Sequence, residues 1–108
     1  MKPVVFHEKA REAVRGFSSS AKDDIGLLLR RLQDGQLLAF PDSRPMPDIE
    51  AGAYELRVRD ADGIYRVFYY LKSEKGILVF HAFTKKTQAT PQNEIETARK
   101  RLWEMLSW

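Results

Sequence analysis

Residues 54–83 read YELRVRDADGIYRVFYYLKSEKGILVFHAF, and this stretch decides the fold. Tyr54, Leu56 and Val58 alternate with Glu55, Arg57 and Arg59, the period-two pattern of a strand with one buried face. Asp60-Ala61-Asp62-Gly63 reads as a hairpin turn, with Gly63 able to take a positive φ. Ile64–Lys72 is β-branched and aromatic, Ser73–Gly76 turns the chain again, and Ile77–Phe83 is a third strand. Two successive hairpins predict one antiparallel meander.

On the N-terminal side, Val4–Phe6 is a short apolar strand. Ala10, Ala13, Val14 and Phe17 then recur at helical spacing and give one apolar face. Gly16 and the serines at 18–20 break that helix. Ser20 followed by Asp23 resembles a capping box, and Ile25, Leu28, Leu29 and Leu32 form a second stripe that Gly35 terminates. These two helices read as an αα-hairpin. Residues 35–53 hold Pro41, Pro45 and Pro47 and read as a crossing loop. On the C-terminal side, Thr90 is expected to cap a helix with Pro91 at its first position and Ile95, Ala98, Leu102, Met105 and Leu106 as its buried stripe. The predicted class is α+β in the order β-α-α-β-β-β-α, mainly antiparallel, as a single domain over residues 1–108.

Hydrophobic residues make up 44% of the 108-residue chain and charged residues 31%, which excludes bulk disorder. No apolar run reaches the roughly 20 residues that span a bilayer, so no membrane association is expected. Without cysteine there is no disulfide or thiolate-metal framework, which fits a reducing cytoplasm. The net charge of +3 resides wholly in the second half: residues 51–108 hold ten Lys/Arg against seven Asp/Glu, and residues 1–50 hold eight of each.

Strand parity locates that excess. If Tyr54, Leu56 and Val58 face the helices, Glu55, Arg57 and Arg59 face away. On the next strand Arg66 shares the away face with Phe68, Tyr70 and Lys72. Lys85 and Lys86 arrive at the end of the third strand in FTKKTQATPQNEIE, residues 83–96. Two readings follow. The arginines can pair across strands with Glu55, Asp60 or Asp62 on a solvated face. Alternatively, guanidinium forks with aromatic rings between them form a surface for phosphates and unpaired bases. Periodicity does not say which face His81 joins, because both faces of its strand are apolar. His7 reads as a surface residue at a helix start, and Trp103 and Trp108 as packing or partner contacts. No phosphate-cradling glycine loop, metal-ligand spacing or Ser-His-Asp set is present in the sequence.

The run from Tyr54 to Arg101, with the helical hairpin before it, resembles the RelE/ParE toxin superfamily, and within it the phage-derived HigB-like toxins of type II toxin–antitoxin systems. The motifs carrying the resemblance are Phe83-Thr84-Lys85-Lys86-Thr87-Gln88 with Thr90-Pro91, Tyr54-Glu55-Leu56-Arg57, and Tyr65-Arg66. The resemblance implies a RelE-like fold and a cytoplasmic endoribonuclease that cleaves mRNA in the ribosomal A site without metal or other cofactor. Its partners would be the ribosome, mRNA, and a silencing antitoxin of helix-turn-helix type. Arg57 and Arg66 match the family's phosphate-gripping sheet arginines, and Lys85 and Lys86 its basic strand end. Glu55 and His81 are the acid–base candidates, and Arg59 and Thr87 further phosphate contacts. The catalytic tyrosine that some members place after this strand has no counterpart. The alternatives are a ParE-like inhibitor of DNA gyrase that cleaves nothing, and a relative without toxicity that binds a partner protein.

Overall fold

β3 (Ala53–Asp60), β4 (Gly63–Ser73) and β5 (Gly76–Lys85) form the antiparallel meander in a computed structural model that describes residues 1–86 and 89–108. Two short strands complete the sheet. β1 (Val4–Phe6) runs parallel beside β5, and β2 (Ser43–Pro45) pairs antiparallel with β3. The spatial order is therefore β1-β5-β4-β3-β2, a mixed five-stranded sheet. Inside the presumed crossing loop, β2 is one strand more than the sequence pattern predicts. Three residues ending in proline carry no periodicity, and proline fits only a sheet edge.

Helices cover the two faces unequally. α1 (Glu8–Arg15) packs on β5 and α2 (Ser19–Gln33) on β3. They bury Ala10, Ala21, Ile25, Leu29 and Leu32 against Leu56, Val58, Val67, Tyr69 and Val79. α3 (Gln92–Leu106) lies on the opposite face, where Ile95, Ala98, Leu102 and Met105 meet Phe68, Tyr70, Leu78 and Phe80. Each fully buried Leu, Val or Phe contributes about 1.5–3 kcal/mol, so both clusters are needed to hold the sheet between them.

Local chemistry sets the ends of the elements, in places one or two residues from the sequence expectation. Ser18, not Ser20, is the N-cap of α2 and accepts from Ala21 N at 3.1 Å. α2 ends in a Schellman arrangement, with Gly35 at φ +89° and Gln36 N donating to Arg31 O at 3.0 Å. Pro91, not Thr90, flanks α3, and the Thr90 hydroxyl makes no cap bond. Gly63 does not take a positive φ. Asp60 holds that turn instead: its Oδ1 accepts from Asp62 N at 2.8 Å and Gly63 N at 3.1 Å, and its Oδ2 accepts from Ser18 and Ser20. These bonds, led by that from Ser18, hold the Asp60 carboxyl below its usual pKa and tie the β3–β4 turn to the start of α2. Gly76 has a positive φ of +126°, and a Cβ there would overlap the Pro3 carbonyl. That carbonyl accepts from Ile77 N at 2.9 Å, so glycine lets β1 join the sheet.

Candidate functional site

The register aligns three rows of side chains on the α3 side of the sheet. Arg44, Glu55, Phe68 and His81 form one row across β2 to β5. Arg57, Arg66 and Phe83 form the next, and Arg59, Ile64 and Lys85 the last. α3 covers the end of this face that carries Phe68 and Phe80, and the arginine rows lie at its margin.

Glu55 is the centre of the cluster. It is 0% exposed. Its Oε2 accepts from Arg44 Nε at 2.6 Å and Arg57 NH1 at 3.0 Å, and its Oε1 faces Arg66 Nε at 3.5 Å. Of the acidic partners expected for the sheet arginines, Glu55 takes that place, whereas Asp60 is engaged by Ser18 and Ser20. Glu55 does pair across strands, but one carboxylate faces three guanidinium groups. Like charges directly opposite one another, as Arg57 and Arg66 are, repel, and Glu55 is what makes their approach tolerable.

Burial and the neighbouring cations together lower the pKa of two of its members. Arg66 is only 6% exposed, and burial, then the Arg57 charge, lowers its pKa against the opposing pull of Glu55. Guanidinium nonetheless stays protonated at any ordinary pH. Lys85 ends β5 opposite Ile64, half-buried. Burial first, then the charge of Arg66, lowers its pKa below 10.5, with Arg57 and Arg44 adding to the effect. Lys86 follows it, exposed. Arg57, Arg66, Lys85 and Glu55 are thus brought together, with Arg59 beside them, whereas Lys86 touches none of them. Thr87 lies outside the described residues.

A cleft of ≈ 490 Å³ opens over the arginines of this cluster. Its floor is Arg57, Val58, Arg59 and Arg66, with Phe40, Pro41 and Asp42 on one flank of β3 and Ile64 on the other. The flanking loop is held by Arg57 N donating to Asp42 O at 2.8 Å, and the Arg57 guanidinium lies 5.1 Å from the Phe40 ring centroid. Sequence reasoning missed Arg44 and Phe40, since both stand in a proline-rich stretch without periodicity. The rings it placed between the arginines are unavailable. Phe68 is 0% exposed, and Tyr70 is buried beneath α3.

His81 sits on the α3 face because the β4–β5 register shifts between Phe68 and Tyr69, so Phe80 and His81 together occupy the space of one residue. Arg101 donates to its Nδ1 at 2.8 Å, so Nε2 carries the proton and donates to Glu94 Oε1 at 2.7 Å. Phe68 stands between His81 and Glu55 in the row. Both ring nitrogens are therefore occupied outside the cleft, and the histidine anchors α3. Burial lowers its pKa below 6.5, more than Glu94 restores, with Arg101 and His7 adding to the lowering. The unfolded chain then binds a proton that the folded chain refuses. Stability is full above pH 6.5 and falls as pH drops below it toward the folded value. Urea midpoints measured downward from neutral pH are expected to decline, and His81→Gln to remove part of that decline; an identical pH profile in the variant would refute the assignment. His7, expected at the surface, caps α1 through Lys9 N and meets Glu104 at 3.0 Å.

The family model for phage-derived Gp49-like proteins matches residues 12–103. The chain belongs to this family. Among curated proteins no sequence matches this Gp49-like chain. Among solved structures, a chain of the intact E. coli RelBE toxin-antitoxin complex is similar at 17% identity and a TM-score of 0.49, covering 81% of the Gp49-like chain and 100% of its own.

Proposed function

We propose that this Gp49-like protein is the toxin of a toxin–antitoxin pair, an endoribonuclease that cuts mRNA on the ribosome and is silenced by an antitoxin. The observation that carries the reading is the cluster of Arg44, Arg57, Arg66 and Lys85 around the single buried carboxylate of Glu55, opening into a cleft. Together with the resemblance of the Tyr54–Arg101 run to RelE-type toxins, it favours phosphate chemistry on RNA.

In such a reaction the 2′-oxygen attacks the adjacent phosphorus, the bond to the 5′-oxygen breaks, and a cyclic phosphate and a free 5′-hydroxyl result. Arg57 and Arg66 are suited to the extra negative charge of the transition state, because their positions are fixed before substrate arrives. Lys85, with its lowered pKa, is the donor for the departing 5′-oxygen. Lys86 and Arg59 extend the phosphate track. Glu55 positions the guanidinium groups. Glu55 is taken up by the guanidinium groups and His81 by Glu94 and Arg101, so the 2′-hydroxyl proton passes to water, and alignment by the ribosome supplies the rest of the rate.

Induced expression under tight control, with mapping of transcript 5′ ends, tests the reading. New ends within translated messages are expected, and the purified protein is expected to cut naked RNA far more slowly. Intact transcripts combined with a fall in DNA supercoiling would replace it with gyrase inhibition.

A further inference from the structure

Phe40 stands 69% exposed at the mouth of the cleft. One guanidinium lies against it, that of Arg57, whose NH1 also donates to Glu55 at 3.0 Å. Arg57 therefore links the charge cluster to a mostly bare aromatic ring. This arrangement does not stabilise the fold by burial, since most of the ring stays in water. It does hold the ring beside the phosphate-binding groups: the cation–π contact limits how far the pair can drift apart.

Across β3, Ile64 is 38% exposed and lines the other flank of the same cleft. The cleft thus has cations on its floor and apolar groups on both flanks. Its volume falls within the ordinary range for small-ligand sites, about 300–1,000 Å³. A nucleotide presents that same division of chemistry, with an anionic phosphate attached to a flat apolar base.

We propose that Phe40 is the platform on which a base of single-stranded RNA stacks while its phosphate lies on Arg57 and Arg66; this rests on the reading of the cleft as an RNA site. Phe40 offers no hydrogen-bonding group, so the contact adds affinity and orientation without choosing among bases. Its loss weakens binding without removing the phosphate contacts.

The test uses a 2′-O-methyl oligonucleotide, which keeps its bases and phosphates but lacks the attacking hydroxyl, and an abasic strand of equal length. Titrated at low salt against the full chain, the intact strand is expected to bind about tenfold tighter than the abasic one, the scale of one stacked base. Phe40→Ala is expected to erase that difference, and Phe40→Trp to preserve it. A difference that survives Phe40→Ala overturns the proposal, as does equal binding of both strands, or of neither, by the unaltered protein. Cleavage is scored separately from transcript 5′ ends in cells, so a failed platform is distinguishable from a failed nuclease reading.

Discussion

Replacing Glu55 with alanine is expected to destabilise the protein by about 3–5 kcal/mol, the scale for removing one partner of a buried ion pair. The carboxylate is fully buried and Arg66 nearly so, so neither charge can turn to water when the other is removed. In the variant, Arg57 and Arg66 would face each other directly across β3 and β4 with nothing between them. A surface pair would lose no more than about 1 kcal/mol, and this contrast gives the measurement its meaning. Arg44→Ala is the internal control. Its side chain is 46% exposed, so the expected loss is small. Inorganic phosphate should restore more stability to Glu55→Ala than to the parent, because an anion that binds only the folded state stabilises by mass action. Urea unfolding with and without phosphate reads both effects. A loss below about 1 kcal/mol would show that the arginines tolerate one another by hydration, and the view of Glu55 as their organiser would fail.

The meander was legible from residues 54–83 because alternation in β3 and the two turn signals leave one way to fold it, and the same parity placed Arg57 and Arg66 on one face. The edges were less legible. β1 lies parallel to β5 through a contact 73 residues apart, Val4 with Ile77, which no local pattern records. β2 is too short for alternation to register, and Arg44 was lost with it. The stacking rings were misplaced for a different reason: parity assigns Phe68 and Tyr70 to a face but cannot show that α3 covers that part of the face. His81 was undecidable because a one-residue register shift moves it, and nothing in GILVFHAF marks the shift. The sequence therefore conveyed the charges of the site, while the shape of the cleft depended on long-range packing.

Lys85 and Lys86 together carry the prediction with the largest effect on activity. Replacing both with alanine is expected to lower cleavage at least a hundredfold, since loss of one transition-state contact costs about 2.7–4 kcal/mol. Stability should hardly change. Lys86 is exposed, and Lys85 stands among Arg66, Arg57 and Arg44, so its removal relieves repulsion as well as losing the attraction of the Glu55 charge. Changes at such positions stay within about 0.5 kcal/mol. Lys85→Arg then separates two roles that alanine confounds. An arginine keeps the positive charge on phosphate but does not release its proton at working pH. If Lys85 only grips phosphate, Lys85→Arg should retain most of the cleavage; if it protonates the leaving oxygen, the variant should fall nearly as far as alanine. The pH dependence gives an independent reading. A lysine donor works while protonated, so cleavage should fall as pH rises through the Lys85 pKa, which lies below 10.5. That alkaline limb should vanish in Lys85→Arg. A double-alanine variant that still cuts transcripts at the parent rate would leave the two lysines as ordinary solvated charges at the end of a strand.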